Sequence, residues 1–222
     1  MSKKLDRKDV KNAAWTWMFF HHCAQNFERM QGLAFCHTMS KPLEKLYGDD
    51  PEELKAALPR HMQFFNTEPQ LGSVIPGITI ALEEARANGG EVDAELIMGT
   101  KNALMGPFAG IGDSIFQSTW RVISMGVGLS LAAGGNILGP IVFLLMYNIP
   151  SAFVRFLGPY VGYSLGAKFM SSAAENGIMS FITKAASTVG LMTVGAMTAT
   201  MVSCNIGFVF TMGGAEQSIQ AM

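Results

Sequence analysis

Apolar residues recur at three- and four-residue spacing in residues 1–62, a pattern that predicts one face of a helix. The face comprises Val10, Ala13, Trp17, Phe20, Ala24, Phe27 and Met30. Lysines and arginines precede Trp15 and Trp17, as in helices that lie at a membrane surface with aromatic rings at headgroup depth. The same pattern also fits a helix that covers a soluble core, so both interpretations stay open.

Residues 40–61 predict a second, solvated element. The sequence indicates a turn and then a helix that begins near Asp50, with Pro51 as its first residue and a break at Pro59. Residues 1–62 are therefore expected to form a cytoplasmic or interfacial helical region.

Residues 63–120 contain two apolar pieces that are too short to cross a bilayer. They are 71–82 and 103–118, and each is interrupted by Gly or Pro. In transporters, broken segments of this kind offer backbone groups and helix ends to a substrate. We therefore predict a core of broken and re-entrant helices that lines a path for a solute.

Residues 121–222 carry the patterns expected of membrane-spanning helices. No charged residue lies between Arg121 and Arg155, an interval of 33 residues, and roughly 20 residues suffice to cross a bilayer as a helix. Glycines, prolines and asparagines punctuate this run at 134–136, 139–140 and 148–150, which favours two shorter helices. A second uncharged run, 185–215, predicts another spanning helix. The expected fold is an all-α membrane protein.

The composition agrees with a lipid environment and excludes other classes of protein. Hydrophobic residues make up 49% of the chain and charged residues only 15%. Ten of the 16 lysines and arginines precede residue 61, so the positive-inside rule places this end in the cytoplasm. A net charge of -1 gives no basic field for nucleic acid. The four histidines are scattered or adjacent, and no nucleotide or hydrolase motif is present, so neither a metal nor a cofactor is expected.

Three polar residues between aromatic residues and a proline form the first candidate site. Asn66, Thr67 and Glu68 follow Phe64-Phe65, so a neutral sugar would find donors and acceptors beside stacking rings. The same residues also fit an ordinary turn that caps a helix.

Carboxylates supply the other candidates. Glu83 and Glu84 come near the predicted end of a helix, where its dipole disfavours negative charge. Arg86 can compensate Glu83 in part, at i+3, and full solvation of the carboxylates is the alternative. Glu84 either binds sugar hydroxyls or is simply solvated. Asp113 is the only charged residue between Lys101 and Arg121, which indicates a functional group, a cap for a helix that begins at Ser114, or both.

Five sequence segments together resemble one family. They are NFERMQGLAFC (26–36), FFNTEP (64–69), ALEEARANGGEVD (81–93), ALMGPFAGIGDSIF (103–116) and NILGPIVFLLMYN (136–148). In this order, from about residue 6 to 206, the chain resembles the IID membrane subunit of the mannose, fructose and sorbose family of bacterial sugar phosphotransferase permeases.

The resemblance implies group translocation of a hexose or amino sugar. A IID subunit pairs with a IIC subunit in the cytoplasmic membrane, separate IIA and IIB proteins relay phosphate, and IIC-IID units assemble into trimers. The phosphohistidines belong to the soluble proteins, so no histidine here is assigned that role and no catalytic residue is expected. On the matching motifs, the residues expected to line the sugar path are Asn26, Asn66, Thr67, Glu68, Glu84 and Asp113.

One departure from the family and two other classes of function stay open. Members of the family usually continue with further apolar segments, and this chain is expected either to lack them or to be incomplete. A channel or secondary transporter would use Asp113 as a proton or cation site. A soluble helical binding protein would fit the modest mean hydropathy of +0.26.

Overall fold

The computed structural model describes residues 3–176, 209–212 and 215–218, and the side chains of residues 3–168. The helices among them are α1 (Arg7–Phe20), α2 (Gly32–Tyr47), α3 (Pro51–Met62), α4 (Val74–Ala87), α5 (Ala94–Gly112), α6 (Arg121–Ala132) and α7 (Leu138–Asn176). A 3₁₀ turn, Leu71–Ser73, precedes α4, and a π-helix, Asp113–Trp120, joins α5 to α6. Two short strands, β1 (Val209–Met212) and β2 (Ala215–Ser218), pair antiparallel. The described chain is thus helical apart from this strand pair, as predicted.

The apolar face of α1 packs on the protein rather than projecting away from it. Asp6 caps the helix by accepting hydrogen bonds from the Lys8 and Asp9 backbone N–H groups. Trp17 is fully buried in the main core, where its ring meets Phe35 and Phe65 edge-on. Val10, Ala13 and Trp17 therefore cover the core, whereas Phe20, at the end of α1, is 45% exposed.

The predicted length of this first helix was wrong. It ends at Phe20, and the residues that continue the predicted face, Ala24, Phe27 and Met30, belong to a loop. Ala24 and Met30 have φ angles of 58° and 48°, left-handed conformations that a helix cannot contain. Phe27 is 97% exposed at the tip of this loop.

α3 begins as predicted, but the prolines inside α2 and α3 do not interrupt these helices. Asp50 caps α3 by accepting from the Glu53 N–H group, and Pro51 is the first helical residue. The expected turn at residue 40 is instead part of α2, which contains Pro42, and the break expected at Pro59 is absent. Pro59 lies in the last turn, where it removes a single hydrogen bond, and burial of Arg60 and His61 behind it holds that turn in place.

α4 and α7 run parallel and approach so closely that only glycine fits between them. A Cβ atom at Gly162 would lie 2.0 Å from the Val74 carbonyl oxygen, and one at Gly77 would lie 2.1 Å from the Pro159 oxygen. Gly158 lies against Ser73 and Gly166 against Ala81 in the same way. The GxxxGxxxG spacing of α7 therefore sets the distance between the two backbones.

The break predicted within residues 103–118 is wrong, because the chain stays helical from Ala94 to Ala132. Pro107 lies inside α5, and after α5 the helix continues with the wider i→i+5 turns of a π-helix. There the Thr119 hydroxyl donates to the Ser114 carbonyl, 2.8 Å away. Whether the segment before α4 is re-entrant stays a prediction, as do the region boundaries at residues 62 and 120.

The uncharged run after Arg121 forms two helices, as predicted, but only one turn separates them. The turn contains Gly135, with a φ of 74°, and α7 then continues without interruption through Pro140 and Pro150. Pro140 lies in the first turn of α7, where no hydrogen bond is lost. Pro150 leaves the Met146 carbonyl without its helical donor, and the Trp120 indole N–H donates to that oxygen at 3.0 Å.

α7 contains a candidate membrane span, Leu138–Lys168, with a hydropathy of 1.6 over its most apolar window. The second predicted span, 185–215, lies mostly outside the described residues. Its final part, Val209–Met212 and Ala215, belongs to the antiparallel strand pair, so there the expected helix is wrong.

Candidate functional site

Gln31 holds the loop that connects α3 to α4. The Gln31 side chain is buried, and its amide pairs with the Thr67 backbone as a neighbouring strand would. The amide nitrogen donates to the Thr67 carbonyl at 2.9 Å, and the amide oxygen accepts from the Thr67 N–H at 3.1 Å. The Gln31 backbone N–H also donates to the Phe65 carbonyl at 2.8 Å. The backbone of residues 65–67 is thereby fixed without a regular sheet.

A buried lysine lies beneath this loop. The Lys101 ammonium nitrogen is 4.7 Å from the centre of the Phe35 ring and 5.5 Å from that of Phe65. Within the described part of the chain this nitrogen has no hydrogen-bond acceptor, so the two ring faces are its contacts. Phe65 is in this way held from below while its backbone is held by Gln31.

Glu68 is a buried carboxylate with one oxygen in use. Its Oε2 atom accepts from the backbone N–H groups of Gln70 and Leu71, at 3.0 and 2.9 Å, and so caps the 3₁₀ turn. Its Oε1 atom has no partner among the described residues. Burial raises the pKa of Glu68, and the two backbone donors oppose that shift.

Gly112 lets α5 approach this carboxylate. A Cβ atom at Gly112 would lie 2.4 Å from Glu68 Oε2, so any larger residue would displace the side chain. Asp113 follows directly and is half-buried, and its charge is close enough to raise the pKa of Glu68 further. Asp113 lies within a continuous helical stretch, so its expected role as a cap at Ser114 was wrong.

Glu68 and Asp113 share their surroundings with four polar residues. The side-chain nitrogens of Gln70 and Gln117 each lie 3.5 Å from the Tyr147 hydroxyl, and the Arg155 guanidinium lies within electrostatic range of Glu68 and Tyr147. We name these six residues the polar cluster: Glu68, Gln70, Asp113, Gln117, Tyr147 and Arg155.

Three atoms of the polar cluster are buried without partners in the described part of the molecule. They are Glu68 Oε1, Gln70 Oε1 and Arg155 Nε. Buried polar atoms are normally hydrogen-bonded, and leaving one unsatisfied costs about 1–3 kcal/mol. Among the described residues, two acceptors and one donor of the polar cluster are thus left without a hydrogen-bond partner.

The structure brings four of the six predicted site residues together and leaves two elsewhere. Asn66, Thr67 and Glu68 are consecutive, and Asp113 approaches them through Gly112. Asn26 instead lies in the exposed loop after α1, where its side-chain oxygen accepts from the Arg29 N–H at 2.9 Å. Glu84 is eleven residues beyond Ser73, about 16 Å along a helix, and accepts from the Tyr163 hydroxyl.

The predicted pairing of Glu83 with Arg86 was wrong. Glu83 points into the protein, where Arg60, His61 and Tyr47 donate to it, and Arg86 binds Glu53. Burial raises the pKa of Glu83, but these donors outweigh it and the pKa is lowered. Arg86 is not needed as a partner of Glu83, because α2 and α3 supply the donors that bind this carboxylate.

Sequence reasoning missed Gln31, Gln70, Gln117, Tyr147 and Arg155. Glutamine and tyrosine carry no signal in a hydropathy pattern. Arg155 was treated only as the end of an uncharged run, yet it lies inside the candidate span, and an ionisable residue there indicates function. The described residues contain no group of three metal-ligating side chains.

Comparisons with known proteins agree with this architecture. The sequence profile of the mannose/fructose/sorbose family IID component of the phosphotransferase system matches residues 4–222. The mannose-specific IID component of Escherichia coli K12 is 39% identical over 207 residues, which cover 93% of this chain and 72% of that protein. The sorbose-specific IID component of Klebsiella pneumoniae is 38% identical over 209 residues, covering 92% and 76%.

A solved structure gives the same result for the fold. A chain in the cryo-EM structure of the mannose transporter ManYZ with microcin E492 has a TM-score of 0.86 and 35% identity to this chain, covering 98% of this chain and 81% of that one. The fructose permease IID component of Bacillus subtilis is 40% identical over 184 residues, covering 83% and 66%. The chain therefore belongs to the IID components of the mannose/fructose/sorbose family and is a membrane subunit of a phosphotransferase sugar permease.

Proposed function

We propose that this subunit pairs with a IIC subunit to carry a sugar across the bacterial cytoplasmic membrane, and that the polar cluster contributes to the sugar path. The two subunits assemble further into a trimer of pairs, and soluble IIA and IIB proteins supply the phosphate. The observation that carries the proposal is the set of buried, unpartnered polar atoms beside a candidate membrane span.

The chemistry of these atoms matches a neutral sugar better than an ion. A sugar hydroxyl donates one hydrogen bond and accepts others, so sugar hydroxyls offer donors to the Glu68 and Gln70 oxygens and an acceptor to the Arg155 N–H. Asn66, two residues before Glu68, is exposed, and the Phe64 ring is 44% exposed, so it can stack against the apolar face of a sugar. Thr67 and Asp113 complete the set of residues that we assign to this path.

Asn26 and Glu84, two of the residues predicted to line the sugar path, lie outside the polar cluster. A role for them in transport would require another part of the path or another conformation. Glu84 joins α4 to α7 through Tyr163, which ties it to the packing of the two helices.

The class of sugar follows from the relatives and the site. Relatives are named for mannose, fructose and sorbose, and a site with acceptors and a cationic donor suits a hexose or an amino sugar. Phosphate transfer belongs to the soluble partners, and this subunit positions the sugar. We infer a multi-pass protein of the inner membrane from the long uncharged runs.

Uptake measurements test the proposal. In cells that lack the natural subunit, the chain together with its IIC partner should restore mannose or fructose uptake, and the sugar should appear inside as its phosphate. Glu68→Gln should reduce uptake at least tenfold, because the uncharged amide is a weaker acceptor and introduces a competing donor. Glu91→Gln removes an exposed carboxylate and is the matched control.

Two results would contradict the proposal. Uptake of unmodified sugar that stops when the ion gradient is collapsed would favour a secondary transporter with Asp113 as its ion site. Equal uptake by the Glu68→Gln and Glu91→Gln variants would remove the polar cluster from the sugar path.

A further inference from the structure

We propose that a groove between α1 and α7 binds an anionic phospholipid. The groove has a volume of about 730 Å³, with basic side chains of α1 on one wall and aromatic and aliphatic side chains of α7 on the other. The lining residues are Arg7, Lys8, Lys11, Phe156, Leu157 and Tyr160.

The basic wall is not neutralised by the rest of the described chain. The carboxylates of Asp6 and Asp9 are turned to Lys45 of α2, and the two also cap α1. Arg7, Lys8 and Lys11 are exposed, and the ion pairs found in residues 3–168 include none of them. Three cationic groups thus face the groove without a counter-charge from these residues.

The exposed face of α1 changes from cationic to aromatic along its length. Arg7, Lys11, Trp15 and Phe19 follow one another at four-residue spacing, which places them on one side of the helix. The Trp15 ring stacks on Phe19 at 5.5 Å and meets Phe156 of α7 edge-on at 5.1 Å. This order, from charge to aromatic ring, matches the passage from headgroup to acyl chain in a lipid leaflet.

The depth of the groove also fits a lipid headgroup. Tyr160 lies 22 residues after Leu138, where the candidate span begins. At 1.5 Å per residue that is about 33 Å, close to the roughly 30 Å thickness of the hydrocarbon layer. The basic wall is therefore at the membrane boundary opposite the α6–α7 turn, a position where basic pockets hold acidic headgroups. A free phosphate would use only one wall of the groove, whereas a phospholipid uses both.

Native mass spectrometry of the full chain in a mild detergent tests the assignment. We expect a retained adduct with phosphatidylglycerol, far less with phosphatidylcholine, and none with glycerol phosphate, which has the charge without the acyl chains. The Lys8→Gln/Lys11→Gln variant should bind phosphatidylglycerol about 30-fold more weakly, because each basic residue near an acidic headgroup contributes roughly fivefold. The Lys8→Arg/Lys11→Arg variant keeps both charges and should bind phosphatidylglycerol as the wild type does. This comparison shows that the glutamine variant, if folded, loses binding because it loses charge.

A matched control removes the same charge elsewhere. Lys41 and Lys55 are exposed on α2 and α3, so Lys41→Gln/Lys55→Gln should leave phosphatidylglycerol binding unchanged. The proposal is overturned if both glutamine pairs weaken binding equally or if phosphatidylcholine binds as well as phosphatidylglycerol. It is also overturned if glycerol phosphate binds as tightly as the lipid, or if a protein partner occupies the groove and no lipid is retained.

Discussion

Glu83 is a carboxylate without access to water, held by four hydrogen bonds from three side chains. The Tyr47 hydroxyl donates at 2.7 Å, Arg60 donates twice at 3.0 and 3.1 Å, and His61 Nε2–H donates at 2.7 Å. Burial lowers the pKa of His61, so its ring is neutral and the charge of Glu83 is balanced by Arg60. The network connects α2, α3 and α4.

Removal of the Glu83 charge should therefore destabilise the protein. Glu83→Gln removes the buried carboxylate that pairs with the Arg60 guanidinium and leaves it only the partly exposed Glu53, at 3.2 Å. Breaking a buried ion pair costs up to about 3–5 kcal/mol. Thermal unfolding in detergent should show a clearly lower Tm for Glu83→Gln than for the wild type. Glu91→Gln, which replaces an exposed carboxylate, should leave the Tm unchanged. Equal Tm values for the two variants would show that the network contributes little.

Stability should also fall as the pH is lowered from 7.5 to 5. Burial is the largest cause that lowers the pKa of His21, to about 4, and it lowers the pKa of His22 and His61 as well. Unfolded histidines bind protons below about pH 6.5, whereas the folded ones, with lowered pKa values, bind them less readily, so acid favours the unfolded chain. Glu83, whose pKa is lowered, adds its loss only at still lower pH.

A Tm series across this pH range checks the expectation. His61→Gln removes one of the three titrating groups while keeping a donor for Glu83, so its Tm should decline less steeply than that of the wild type. A Tm that rises with acid would contradict the assignment of neutral histidines.

At this scale the sequence predicted residue types better than partners. Asn66, Thr67, Glu68 and Asp113 do come together, because the loop lies against Gly112, the residue that precedes Asp113. The partners of Glu83 could not be predicted, since Tyr47 and Arg60 reach it from helices whose packing the hydropathy pattern does not specify.

Among the elements, the contact between α4 and α7 depends most on small residues. Gly158, Gly162 and Gly166 form one stripe of α7. A Cβ atom at Gly162 or Gly166 would meet α4, and one at Gly158 would meet Ser73, directly before α4. Small residues at such spacing let helices in a membrane approach closely and gain van der Waals contact. This stripe is visible in the sequence as GxxxGxxxG.

Gly162→Ala should loosen this pair of helices. Its Cβ atom would lie 2.0 Å from a backbone oxygen, which the helices can relieve only by moving apart, at a cost of about 1–3 kcal/mol. Gly126→Ala on α6 is the control, because no atom lies within 4 Å of its Cβ position and alanine favours the helix. Thermal unfolding should separate the two variants. A Tm for Gly162→Ala at or above that of Gly126→Ala would contradict the packing.

Proline and glycine explain most of the differences between predicted and observed elements. Residues 148–150 were among the interruptions expected to divide the uncharged run, but the Trp120 indole satisfies the carbonyl that Pro150 frees. Pro107 and the glycines that follow it lie in a helix that continues into a π-turn. Such compensation comes from neighbouring elements. Prediction from local proline and glycine positions alone therefore overestimates the number of helix breaks.

The whole molecule combines a packed helical core with a long apolar helix, and the polar cluster lies where they meet. Glu68 and Gln70 belong to the loop that the core anchors, whereas Tyr147 and Arg155 belong to α7. The uncharged run predicted the membrane class and the location of α7. The cluster itself needed the structure, because its members are 87 residues apart in sequence at the extremes, Glu68 and Arg155.

Sugar binding by the purified subunit in complex with its IIC partner tests the central claim most directly. A titration by calorimetry should show mannose or fructose binding that weakens at least tenfold with Glu68→Gln, since an acceptor oxygen within the polar cluster loses its charge. An unchanged Kd in that variant, with the complex intact, would show that the buried unpartnered atoms do not face the sugar.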